Sequence, residues 1–209
     1  MQRFLSVLFV AVAPMPVVAH PHIFVDTSLR IVTDENGHAI GVEVTWAYDE
    51  LYSLLVLEDM GLDSDYDGVL TPAELARLDG FDMKWVQGFE GDLYARGSDG
   101  PISLVAPKSL STRFEAGKII TRHLRPFPSA QKTFELRAYD PTFYTAYDLS
   151  AGGVSAPSGC AIDRQVADLD AAYAKVEKLM SEDDYAEDDY PKVGDAFADK
   201  VIVTCTGAS

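Results

Sequence analysis

The sequence is poor in basic residues: 17 Lys and Arg stand against 33 Asp and Glu, for a formal net charge of −16 at pH 7. A surface of that sign repels phosphates and anionic lipid and attracts cations, which argues against nucleic acid as a partner. Cysteine is scarcer still. Only Cys160 and Cys205 are present, in no CxxC spacing, so a CxxC redox or zinc site has no support. After the amino terminus no apolar run approaches the roughly 20 residues needed to cross a bilayer. GxSxG and HExxH signatures are absent, as are lipase-like and phosphatase-like patterns, and no internal repeat is visible. The 209 residues suffice for one sizeable core.

The first 19 residues read as a secretory signal. Arg3 supplies the positive start, Phe4 to Ala13 the apolar core and Val17-Val18-Ala19 the small-residue cleavage site. The mature chain then begins at His20 with a net charge of about −17 and forms a single secreted domain, residues 20–209. The alternatives are an uncleaved anchor or a buried core helix, and Pro14 and Pro16 directly after the run speak against both. An even pair of cysteines fits export to an oxidising compartment such as the periplasm. Cys160 and Cys205 are expected to bond to each other, closing a loop of about 45 residues worth roughly 3–4 kcal/mol on the chain-entropy model. Two free thiols, or a redox or metal pair, are the other readings.

What is abundant is aspartate in one short stretch. Residues 63–74 fill every position of an EF-hand calcium loop. Asp63, Asp65 and Asp67 stand at loop positions 1, 3 and 5, Val69 offers a backbone carbonyl at 7, Thr71 a hydroxyl or its water at 9, and Glu74 a bidentate carboxylate at 12. Gly68 falls where the chain turns too sharply for a side chain, and Leu70 is the apolar residue that pins the loop to a core. The plain alternative is an acidic turn between two helices, which needs neither the closing Glu nor the apolar Leu70. No second loop is found: Glu182 to Asp189 is acidic but lacks the Gly and the ligand spacing. A single loop outside the cytosol is expected to be a structural clip for Ca2+ rather than a switch.

The periodicity predicts an α+β fold, mainly an antiparallel, sandwich-like sheet with an inserted helix-loop-helix and a C-terminal helix. Ile23 to Val32 and Ile40 to Tyr48 alternate around a turn at Asn36-Gly37, which reads as a hairpin. Residues 49–90 form the helical insertion carrying the calcium loop, with helical character again at Met83 to Phe89. Short strands are expected at Leu93 to Arg96, Ile102 to Val105, Ser111 to Glu115, Lys118 to Leu124, Thr133 to Tyr139, Phe143 to Leu149 and Val201 to Cys205. Gln165 to Met180 has helical apolar spacing, and residues 181–195 are expected to be an acidic mobile loop.

His20-Pro21-His22 is a second point of interest. With cleavage after Ala19, a free α-amino group and two imidazoles lie within three residues. The amino group and ring of His20 can chelate one metal as a histidine brace, which suits copper. The square-planar amino-terminal copper or nickel motif needs a backbone amide that Pro21 lacks. In an extended chain His22 shares a face with His20 and with Asp26, and His123 can supply a further imidazole. The alternative is that these are ordinary polar residues at a strand start, with His38 a turn residue and His123 a satisfied strand residue.

The His20-Pro21-His22-Ile23-Phe24-Val25-Asp26 start, Thr45-Trp46-Ala47-Tyr48-Asp49-Glu50, the acidic loop, Tyr139-Asp140-Pro141-Thr142-Phe143-Tyr144 and the closing Phe197 to Cys205 follow in a fixed order. In that order they resemble a bacterial family of unknown function described as the periplasmic component of an uncharacterised ABC-type transport system. The resemblance covers essentially the whole mature chain. It implies transition-metal handling, since members are often encoded beside nickel or cobalt efflux-type permeases or in zinc-related loci. Asp49 and Asp140 stand in its most family-like stretches, where either can complete a site with the histidines; the alternatives are a helix cap and a turn.

The leading reading is a periplasmic metal-binding accessory protein that presents nickel, cobalt, zinc or copper to a membrane permease or ABC transporter, with calcium fixing the insertion. The alternative is a calcium-stabilised interaction module without a transition metal. A copper-dependent enzyme is the third, and nothing in the sequence compels it.

Overall fold

The computed structural model describes residues 21–182 and 191–206. The expected signal, His20 and residues 183–190 of the acidic segment lie outside the described residues. Strands β1 (Ile23–Thr33) and β2 (Ala39–Tyr48) form the expected antiparallel hairpin. Asp34 closes it by accepting from the N–H groups of Asn36 and His38, each at 2.9 Å, while Gly37 takes a φ of +75°. Next come α1 (Glu50–Met60), α2 (Pro72–Leu78) and a 3-10 turn at Phe81–Met83.

The chain then runs through β3 (Leu93–Gly97), β4 (Gly100–Ile102), β5 (Lys108–Glu115), β6 (Lys118–Gln131), β7 (Thr133–Ala138) and β8 (Thr145–Asp148). It finishes with α3 (Leu149–Gly152), β9 (Gly153–Ser155), β10 (Cys160–Gln165), α4 (Leu169–Glu182), a 3-10 turn at Gly194–Phe197 and β11 (Lys200–Cys205).

These strands make two sheets. One runs β5-β6-β2-β1-β8, with β9 also on β1; the other runs β10-β11-β7-β3-β4. The fold is therefore mixed α and β, dominated by sheet and mainly antiparallel. The exception is the β1 edge, where β8 and β9 pair in parallel, β8 against the start of β1 and β9 against its middle. Alternation along β1 turns Val25, Thr27, Leu29 and Ile31 inward. Both sheets feed one buried apolar cluster, with Val44 and Trp46 from β2 and Phe134, Leu136, Val201 and Val203 from β7 and β11.

Three local expectations are corrected. Helical character at Met83 to Phe89 reduces to the 3-10 turn, because Trp85 turns inward to pack on the core instead of continuing a helix. The last helix begins at Leu169 rather than Gln165, since Gln165 is still paired with Lys200 in the β10–β11 ladder. Asp168 then accepts the Ala171 N–H at 3.0 Å. The expected strand at Ile102 to Val105 ends at Ile102, where the chain leaves β3. Cys160 and Cys205 face each other in the β10–β11 register and are bonded, with their Cα atoms 4.0 Å apart.

Candidate functional site

Helix α1 starts at Asp49, whose carboxylate accepts from Tyr52 N–H at 2.9 Å and from Phe24 N–H at 2.8 Å. Gly61 ends it in the left-handed conformation. Leu62 and Leu70 then anchor the two flanks of the acidic loop in the core, at 4% and 8% exposure. Between them Asp63 takes φ +49°, Tyr66 +57° and Gly68 +74°, which fold the chain tightly. Carboxylate oxygens of Asp63, Asp65 and Asp67 all lie within 4.8 Å of one another. Asp63 also receives Gly68 N–H at 3.2 Å, and Asp67 receives Val69 N–H at 2.8 Å.

The loop exits into α2 through a capping box. Thr71 accepts from Glu74 N–H at 3.3 Å, while Glu74 accepts from Thr71 N–H at 2.9 Å and from its hydroxyl at 2.7 Å. Glu74 further receives Asp63 N–H at 3.0 Å. The hydrogen bonds from Thr71, then that from Asp63, hold the Glu74 carboxyl below its usual range. Three convergent carboxylates on a tight turn, with a fourth at its exit, are a donor set of the hard oxygen type that suits calcium.

The residues considered for a transition metal lie apart from this loop. Among the described residues the Asp63, Asp65 and Asp67 group is the one assembly of three or more such donors, and His22, Asp49 and His123 are not gathered into another. His22 precedes β1, donates its N–H to Tyr144 O at 2.9 Å and sets its ring 4.8 Å from the Tyr144 ring. Asp26 bonds Lys118 at 2.9 Å. Asp140 forms a turn, accepting from Thr142 N–H at 2.8 Å and Thr145 N–H at 3.1 Å.

His123 is enclosed. It belongs to the inward row of β6 with Thr121 and Arg125, has no exposed surface, and neither ring nitrogen has a hydrogen-bond partner among the described residues. Trp46 lies 4.6 Å away and Trp85 6.1 Å, both edge-on. Burial, then the neighbouring Arg125 charge, pushes the imidazole down to about 3, so it is neutral at ordinary pH. Arg125 places its guanidinium 4.6 Å over the Trp85 ring and donates to Glu90 O at 2.6 Å and Val105 O at 3.2 Å.

Two carboxylates that sequence reasoning passed over face this interior. Asp82 accepts from the Tyr48 hydroxyl at 3.0 Å and from Thr121 at 2.6 Å, and burial lifts its carboxyl above the usual range against those two bonds. Asp92, at φ +50°, accepts from the Tyr147 hydroxyl at 2.8 Å. Burial raises it to about 7, against the pull of that bond and with help from Asp140. No local motif marks either one. Their partners Tyr48, Thr121 and Tyr147 come from distant strands, so only the folded arrangement brings them together.

Comparison with known proteins adds kinship rather than chemistry. AChBP from Bulinus truncatus aligns with a TM-score of 0.31 and 10% identity over 94% of this chain and 93% of its own, too slight to inform fold or function. An uncharacterized protein of Haemophilus influenzae strain Rd is 29% identical over 202 residues, covering 90% of this chain and 92% of its own. Residues 5–205 match the family described as "Protein of unknown function (DUF1007)", and the chain belongs to that family.

Proposed function

We propose that this protein is an exported, calcium-stabilised accessory module whose Asp63 to Glu74 loop is an EF-hand that holds one Ca2+ as a structural clip. The observation that carries this reading is the convergence of the Asp63, Asp65 and Asp67 carboxylates within 4.8 Å. Three like charges that close repel one another, and a divalent cation offsets that repulsion. Bound calcium would be held by those three residues with Val69, Thr71 and Glu74, and would fix the α1–α2 insertion against the sheet. The disulfide supports an extracytoplasmic setting, and among the described residues no helix is long and apolar enough to cross a membrane. Thermal melting with calcium and with a chelator tests the clip. A higher melting temperature with calcium, lost in Asp63→Ala, is expected, and identical curves would sink the idea.

A second reading adds transition-metal transfer to a permease or ABC transporter in the periplasm. It is favoured by the exposure of His22 just before β1, beside Tyr144, with Phe24 on the same face 55% exposed. The donors would be the His20 amino group and the imidazoles of His20 and His22. Asp49 is spent on capping α1, and His123 is enclosed by tryptophans. Adding one residue before His20 should weaken binding of copper, nickel, cobalt or zinc, and unchanged affinity counts against this reading.

A further inference from the structure

Helix α1 is apolar on both of its long faces, yet only one is covered. Its inner face buries Ser53 and Leu57 and packs Val56 and Met60 on the core. The outer face is a stripe of Leu51, Leu54 and Leu55, a first, fourth and fifth position that share one side of a helix. These leucines are 66%, 45% and 54% exposed. A single exposed leucine needs no explanation, but an aligned set on one helix marks an interaction surface. Cavities flank the stripe on both sides. One of about 340 Å³ opens between Leu54, Tyr66 and Phe114, and another of about 500 Å³ between Leu55, Tyr52 and Phe81.

Charge decides what fits there. The last turn of α1 carries Glu58 and Asp59 and no basic residue, placing negative side chains at the negative end of the helix dipole. Arg77 and Lys84 line the larger cavity beside Asp59 and Asp79, the Arg77 guanidinium donating to the Met60 and Gly61 carbonyls, while Glu50 and Asp63 line the smaller one, so acidic side chains outnumber basic ones around the stripe. Neither Glu58 nor Asp59 has an ion-pair partner among the described residues. A second copy of a chain with net charge −16 would bring like charge to this face, and an anionic membrane would do the same.

We propose that the Leu51, Leu54 and Leu55 stripe of α1 is the docking face for a basic amphipathic helix of another protein. Its apolar anchors enter the two flanking cavities, and its Lys or Arg side chains meet Glu58 and Asp59. None of these five residues is a ligand of the acidic loop, although Asp63 and Tyr66 of that loop line the smaller cavity.

The test is fluorescence anisotropy of the full chain with a labelled synthetic helix of about 18 residues, built from Leu at helical spacing with Lys elsewhere. One-to-one binding is expected. It should weaken roughly tenfold in a Leu51→Gln, Leu54→Gln, Leu55→Gln variant, and severalfold in Glu58→Gln, Asp59→Asn. The same peptide with Glu in place of Lys should bind at least about tenfold more weakly. Gln is a good helix former, and circular dichroism checks that α1 survives in each variant. Absence of binding, binding unaffected by the leucine replacements, or equal binding of the Glu peptide would each overturn the proposal. So would a dimer in sedimentation that the same replacements dissolve, since the occupant would then be a second copy.

Discussion

Asp63 and Glu74 are joined across the mouth of the acidic loop, the backbone N–H of Asp63 donating to Glu74 Oε1 at 3.0 Å. The other Glu74 oxygen takes both the N–H and the hydroxyl of Thr71. One carboxylate therefore ties the first residue of the loop to the cap of α2, and these hydrogen bonds alone give the loop a fixed frame.

That frame separates two kinds of variant. Thr71→Ala removes a helix cap and should cost about 1 kcal/mol in denaturant unfolding with a chelator present. Glu74→Ala should likewise melt lower in chelator. Asp65→Ala, at an exposed position, relieves part of the carboxylate repulsion, so it should melt at or slightly above the parent in chelator while losing the calcium shift.

The pH dependence of stability should contain two opposed contributions. His123 is pushed down to about 3 from 6.5, so its contribution is present above pH 6.5 and is lost as pH falls toward 3. Asp92 is raised to about 7 from 3.8, so its contribution is present below pH 3.8 and is lost as pH rises through 7. Asp92→Asn keeps an oxygen for Tyr147 and tolerates the positive φ, and it should be more stable than the parent at pH 8 by on the order of a few kcal/mol. His123→Leu should flatten the acid limb between pH 6.5 and 3 without loss at neutral pH, because it removes two unpartnered polar atoms. Urea unfolding from about pH 3 to pH 8 reads both effects, and an acid limb unchanged in His123→Leu would contradict the assignment.

The Cys160–Cys205 bond spans 45 residues of sequence and clamps β10 to β11. Replacing both cysteines by Ala should lower unfolding free energy by roughly 3–4 kcal/mol, and reduction of the parent should have a similar effect. Because β10 presents only half-buried residues to its neighbour, with no fully buried side chain, the clamp should matter most for this edge. Faster amide exchange confined to β10 and β11 would be its signature.

Much of this was legible in the sequence for definite reasons. The β1–β2 hairpin is visible in the tendency of apolar and polar residues to alternate on either side of Asn36-Gly37, and the acidic loop in the spacing of its carboxylates. Strand β10 was not legible: Ile162 is its one large aliphatic side chain, flanked by Asp163, Arg164 and Gln165, and it is recognisable only from its ladder with β11. The parallel addition of β8 and β9 to β1 depends on long-range pairing that no local pattern encodes. The same holds inside the molecule. His123 reads as a possible ligand because imidazole is a donor, whereas its place between Trp46 and Trp85 follows from strand register. Asp49 reads in the sequence as a candidate site residue with a helix cap as the alternative, and its bonds to Tyr52 and Phe24 show the cap.

Calorimetric titration of calcium into the chelator-treated full chain decides whether the Asp63 to Glu74 loop is a calcium site. One saturable site is expected, abolished in both Asp63→Ala and Asp67→Ala, with no comparable loss in His22→Ala. A chain that takes up no calcium, or one whose binding survives both aspartate replacements, would contradict that expectation.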